Sequence, residues 1–223
     1  MPAGKCSGRF FFAPALERRK VCGILSKLHE VTTMDKKTLF EIIDFYYPVE
    51  DDLRKTLLKH SCQVKEKALE LAGKTDIPLD REVLAAGAML HDIGIKLCHA
   101  PGIFCCGELH YLRHGIEGAG LLRAYGAAHA MDLEPFALIC ERHTGSGLTT
   151  ADIISQKLPL PEQDFLPLTP EEKMVCLADK FFSKSGDMEE KSFEKVRRSM
   201  AKFGDASLER FDNLWTFFNF RSV

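Results

Sequence analysis

Several absences narrow the field before any residue is singled out. No run in the 223 residues approaches the roughly 18–20 consecutive apolar side chains that a membrane-spanning helix needs. There is no basic excess either: 30 Lys and Arg stand against 32 Asp and Glu, a formal net charge of −2. A dedicated nucleic-acid binder needs a basic face for its phosphate contacts, so neither a stable nucleic-acid complex nor a membrane role is expected. Gly145-Ser146-Gly147 is no phosphate-binding loop, because no Lys-Ser/Thr pair closes it. No two of the eight cysteines (Cys6, Cys22, Cys62, Cys98, Cys105, Cys106, Cys140, Cys176) form a CxxC pair. Scattered through a chain long enough to fold without staples, they read as reduced thiols of a cytoplasmic protein. A zinc site from Cys98, Cys105 and Cys106 is the alternative. No segment alternates apolar and polar residues at strand spacing. With 45% hydrophobic and 28% charged residues, one soluble packed domain is expected.

Two regions differ in character. In residues 1–33, Lys5, Arg9, Arg18, Arg19, Lys20 and Lys27 outnumber Glu17 and Glu30. The apolar run Phe10–Ala13 is too short for a secretory core, and basic residues follow it where a cleavage site would lie. This region reads as a disordered extension, translated from a start upstream of Met34. From residue 34 to 223 the pattern is helical, with a core over 51–182 and two helices within 189–219. Leu53, Leu57, His60, Val64, Ala68 and Leu71 share one helical face behind Asp51 or Asp52. Asp80 can cap a helix that ends at His91, with Gly94 as a left-handed cap. His114 begins a glycine-spaced stretch, Asp132–His143 reads as a helix, and Thr169-Pro170-Glu171-Glu172 combines a capping box with a first-turn proline. The fold class is all-α.

Four residues are hard to explain one at a time. His60 lies on the apolar face of its helix, where a histidine is usually a satisfied core residue. His91 and Asp92, adjacent at a helix end, can turn an imidazole and a carboxylate into one cavity and bind one ion. Asp179 sits among Val175, Leu177, Ala178 and Phe181, where a carboxylate is costly unless paired, with Lys180 for example, or coordinated.

These residues resemble the HD superfamily of metal-dependent phosphohydrolases, and its HDIG branch in particular. The likeness rests on His60, on His91-Asp92-Ile93-Gly94 and on Asp179 in Leu177-Ala178-Asp179-Lys180-Phe181-Phe182. It implies a helical bundle with a metal site between helices, the first ion being ligated by His60, His91, Asp92 and Asp179. His114 and His143 stand where binuclear members carry further ligands, with Asp92 as the bridge. In a mononuclear site they would serve as acid/base groups or phosphate contacts. His110 is a fallback ligand. The GYP motif of the cyclic-dinucleotide branch is absent, and Ile95 stands where many HDIG proteins have lysine, which makes a substrate role for Lys96 doubtful.

Mixed His and carboxylate ligation suits Mn, Fe, Co or Zn, as one or two ions. The expected activity is hydrolysis of a nucleotide or another small phosphoester through metal-activated water. A di-iron oxygenase and a noncatalytic nucleotide-binding module are the alternatives. Asp92, His114 and Arg142 are the candidate catalytic residues. An anionic substrate needs cations, and Lys96, Arg113, Arg142, Lys180 and Lys184 flank the candidate ligands. Arg142 is the first choice, because a guanidinium beside His143 can grip phosphate bidentately. A homodimer is left open.

Overall fold

The computed structural model describes residues 34–220; the extension read for 1–33 lies outside the described residues. Nine α-helices follow in order among the described residues: α1 (Lys36–Tyr46), α2 (Asp52–Ala72), α3 (Arg81–Leu90), α4 (His114–His129), α5 (Glu134–Arg142), α6 (Thr150–Gln156), α7 (Pro170–Asp179), α8 (Phe193–Ala201) and α9 (Asp205–Phe218). The all-α expectation holds. Between α3 and α4, single 3₁₀ turns flank a small antiparallel hairpin, β1 (His99–Ala100) and β2 (Cys105–Cys106). Two-residue strands are too short to leave a periodic signature in the sequence.

Polar side chains at the helix starts set where the chain turns. Asp51, rather than Asp52, caps α2 by accepting from Arg54 N at 2.8 Å. Asp80 accepts from Glu82 N and Val83 N, each at 3.0 Å, at the start of α3. Thr169 caps α7 as its sequence suggests, but the box is not reciprocal: Glu172 Oε2 takes the amide of Leu168 instead, at 2.8 Å. The segment before α8 is held by Lys191 N, which donates to Phe181 O at 2.8 Å, so the helix starts at Ser192's cap and not at Glu189.

Helix α3 is enclosed: Val83, Leu84, Ala86, Gly87, Ala88, Met89 and Leu90 are all buried, with α2, α5 and α7 packed around it. Leu57, His60, Val64, Ala68 and Leu71 of α2 are buried on the shared face read from the sequence, and Leu53 is half-buried. Full burial of a Leu or Ile side chain stabilises by about 1.5–3 kcal/mol, so a central helix that buries its Leu84 and Leu90 in one core with Leu57, Phe136 and Leu177 holds its carboxyl end firmly.

Gly94 corrects one reading. It is not a left-handed cap, since its φ is −84°. A Cβ there would lie 2.2 Å from His114 O and 2.4 Å from Gly118 N, so glycine is required because the turn after α3 touches the backbone of α4. The glycine-spaced stretch from His114 is itself a 16-residue helix, and its glycines permit this approach. Gly145 and Gly147 do adopt positive φ, 61° and 88°, in the turn after His143.

Gly94→Ala is expected to cost about 1–3 kcal/mol in urea unfolding, the scale of overpacking. Gly120→Ala, on the open side of α4, should instead stabilise by about 0.5–1 kcal/mol. Equal effects would show that the Gly94 contact does not govern packing.

Candidate metal centre

Helix ends aim the imidazoles. His91 directly follows α3, His114 opens α4 directly after a 3₁₀ turn, and His143 directly follows α5. Carbonyls at helix ends have lone pairs to spare: those of a last turn lack ladder partners, and one that already accepts an amide, as Tyr111 O does from His114 N, keeps a second. Each ring uses one: His91 Nδ1 meets Ala88 O at 2.7 Å, His114 Nδ1 meets Tyr111 O at 2.6 Å, and His143 Nδ1 meets Cys140 O at 2.7 Å. A carbonyl can only accept, so each Nδ1 carries the proton and each Nε2 points inward, the arrangement typical of metal-binding histidines. His60, from the middle of α2, has no partner at its buried Nδ1.

All six residues expected as ligands converge. Asp92 stands between two histidine pairs. Its Oδ2 lies 3.3 Å from His60 Nε2 and 3.2 Å from His91 Nε2; its Oδ1 lies 3.4 Å from His114 Nε2 and 3.5 Å from His143 Nε2. Asp179 Oδ1 lies 2.9 Å from His60 Nε2 and 3.6 Å from His91 Nε2. The Nε2 atoms of His114 and His143 are 3.0 Å apart, two lone pairs facing each other unless a cation separates them. All six residues are buried. Despite the short distances, Asp92 Oδ1, Asp92 Oδ2 and His91 Nε2 take part in no well-directed hydrogen bond. Orphaned donor atoms of this chemistry fit a divalent ion. The ligand atoms of His60, His91 and Asp179 lie within 4.8 Å of one another, as do those of His91, Asp92 and His143.

Charge around the cluster is nearly balanced. Lys184 Nζ lies 2.7 Å from Asp92 Oδ2 and 3.9 Å from Asp179 Oδ1, while Lys180 Nζ lies 2.6 Å from Asp179 Oδ2. Burial alone would raise both carboxyls; His91 and Lys184 for Asp92, and Lys180 and Lys184 for Asp179, hold them well below the carboxylate range. Burial also opposes charge on His91, but Asp92 and Asp179 raise it to about 9. His60 is lowered to about 4 by burial and by Lys184, and His114 to about 3 by burial and by His143. Burial lowers His143 as well. Three of the four imidazoles are therefore neutral and ready to ligate, and the fourth holds a proton where a metal cation can replace it.

The other expected residues are placed elsewhere. Arg142, the first choice for the phosphate, has its Nη1 paired with the buried Glu172 at 3.0 Å and 3.2 Å, which holds that nitrogen at the start of α7. Arg113 is engaged by Glu117 and Pro159 O. Lys96 donates to Tyr46 O and lies over the Tyr47 ring. His110 is exposed and accepts from Leu112 N, which makes it a turn cap. Among the described residues no cysteine joins a convergent group, and burial pushes the Cys98 and Cys105 thiols up to about 11 and about 12. Tyr111 went unnoticed in the sequence. Its ring stacks on His114 with centroids 4.6 Å apart, and its position three residues before that histidine is the signal that could have found it.

The family model for the HD domain matches residues 57–183, which include all six ligand candidates. An uncharacterized protein of Methanocaldococcus jannaschii is 36% identical over 146 residues, 62% of this chain and 76% of that one. Two proteins named tRNA (cytidine(56)-2'-O)-methyltransferase also match. The one from Picrophilus torridus is 36% identical over 60% of this chain and 32% of its own length; the one from Thermoplasma volcanium is 31% identical over 72% and 41%. The chain thus spans less than half of either methyltransferase. No solved structure matches.

Because His91 is protonated below about pH 9 in the metal-free protein, binding of an ion at pH 7.5 should release about one proton, read by calorimetry in buffers of differing ionisation enthalpy. The release should fade above about pH 9, and a constant value from pH 7 to pH 10 would show His91 neutral beforehand. Arg142→Ala should leave metal content unchanged and lower stability by about 1–3 kcal/mol, because Glu172 stays buried without its partner. Loss of metal with unchanged stability would return Arg142 to the centre.

Proposed function

The chain belongs to the HD-domain family, and from that membership we propose that it is a metal-dependent phosphohydrolase acting on a nucleotide or another small phosphoester. The observation that carries this reading is the two-sided placement of Asp92. One oxygen faces His60 and His91 and the other faces His114 and His143, as a carboxylate shared by two ions requires. On this reading His60, His91 and Asp179 would hold one ion and His114 and His143 a second, with Asp92 available to both. Nitrogen and carboxylate donors without thiolate suit Mn, Fe, Co or Zn. When bound, such ions supply Lewis acidity toward a phosphoryl oxygen and a water whose pKa falls toward neutrality.

The protein's own groups do the remainder. Backbone carbonyls at Ala88, Tyr111 and Cys140 take the Nδ1 protons, which leaves the inward Nε2 of His114 and His143 unprotonated and makes that of His91 the one that gives up a proton to a metal. The enclosed Asp92 and Asp179 stay ionised because His91, Lys180 and Lys184 surround them. The same donor set could hold the two irons of an oxygenase; the lysines beside it favour an anionic substrate and hence the hydrolase. The methyltransferase name of two relatives is not carried over, since the match covers 32% and 41% of those proteins.

Protein purified without oxygen should contain close to two transition-metal ions per chain by elemental analysis, and His114→Ala or His143→Ala close to one. A panel of phosphoesters with each metal added back should release phosphate from at least one substrate, and His91→Ala should abolish that release while helical circular dichroism persists. One ion per chain in wild type and both variants would leave a mononuclear centre. Iron-dependent oxygen uptake without phosphate release would replace the hydrolase by the oxygenase.

A further inference from the structure

Beside the metal cluster a cavity of about 430 Å³ opens between the chain following α7 and the β1–β2 hairpin. Asp179 and Lys184 belong to both the cluster and the cavity wall. Three lysines, Lys180, Lys184 and Lys191, face this space with Ser183 and Ser185, and Ile103, Phe182 and Met200 supply apolar wall. The lysines differ in what holds them. Lys191 Nζ donates to two backbone carbonyls, Lys180 O and Phe182 O, at 3.3 Å and 3.1 Å. Lys180 Nζ is shared between His143 O at 3.1 Å and Asp179 at 2.6 Å. Lys184 alone is placed by ion pairs and by no hydrogen bond to backbone, and those pairs are with the carboxylates that a metal ion would neutralise.

We propose that Lys184 is the residue that binds the substrate's phosphoryl group, and that it makes the cavity selective for phosphomonoester dianions over phosphodiesters. This rests on the phosphohydrolase reading of the adjacent centre. Asp92 and Asp179 are already matched by two ammonium groups, so any divalent ion leaves the site with net positive charge. Beside buried carboxylates that surplus favours the ligand with more negative charge. An ammonium whose carboxylate partners are taken over by metal is free to donate to a non-bridging phosphoryl oxygen as a charge-assisted hydrogen bond. Tyr111, which stacks on His114, lines the same cavity. At about 430 Å³ the cavity is near the small end of ligand sites, which suits a substrate of mononucleotide size or smaller.

The test uses metal-loaded full-length protein, with inorganic phosphate as the binding probe. Lys184→Gln should keep the wild-type metal content and bind phosphate about 10- to 100-fold more weakly by calorimetry, the scale of one charged hydrogen bond. Lys184→Arg, which keeps the cation, should recover most of the loss. With p-nitrophenyl phosphate and bis(p-nitrophenyl) phosphate as substrates, Lys184→Gln should lower the monoester-to-diester ratio of kcat/KM by at least about 10-fold. In the unaltered protein, titration with phosphate should shift the side-chain NMR signal of Lys184, which keeps the test open if the glutamine variant does not fold. Unchanged phosphate affinity, an unchanged ratio, an unmoved signal, or loss of metal from Lys184→Gln would each overturn the assignment. Wild-type protein that hydrolyses neither ester would sink the proposed function instead, while the phosphate titration still decides on Lys184.

Discussion

A carboxylate with no access to water is unfavourable unless opposite charge surrounds it, and Asp92 is fully buried. Around it the chain gathers two imidazole pairs, one on each oxygen, and the ammonium of Lys184. Those groups come from α2, α4, the turns after α3 and α5, and the segment beyond α7, so the need to compensate one charge ties most of the fold together. The apolar core supplies bulk stability. The position of the helices relative to one another is set where their polar residues meet.

Helix geometry makes the meeting point reproducible. Two of the histidines directly follow helices and a third follows a 3₁₀ turn, where a carbonyl three residues earlier accepts the Nδ1 proton. The same hydrogen bond therefore fixes ring direction and tautomer at His91, His114 and His143. Backbone contact between Gly94 and Gly118 then sets how close the first and second pairs come, with no side chain between them to repack. Lys184, at the boundary of this cluster and the neighbouring cavity, joins ionic balance to the recognition of an anion.

Much of this was legible in the sequence because the features are local or carry a strong chemical cost. Capping residues such as Asp80 and Thr169 mark helix starts, and a carboxylate at Asp179 amid apolar neighbours demands an explanation. What could not be read depended on distant parts of the chain. Gly94 looks like a cap until the backbone of α4 is seen against it, and Arg142 looks unengaged until Glu172, thirty residues later, takes one of its guanidinium nitrogens. Lys184 stands behind Arg142 and level with Lys180 in the sequence, because adjacency cannot tell which ammonium faces a buried oxygen. The β1–β2 hairpin was invisible because its strands are two residues long.

The lysines that balance Asp92 and Asp179 have a consequence for how such a protein matures. Small zinc domains fold only as their ion arrives, because nothing else neutralises their ligands. Here Lys180 and Lys184 already pair with the carboxylates, so this fold would not have to wait for its ion. A chain that completes its fold first is loaded afterwards, from whatever divalent pool surrounds it. The Irving–Williams order then favours copper and zinc over manganese and iron at equal concentration, which makes cellular metal supply, rather than the folding pathway, the selector of the working ion.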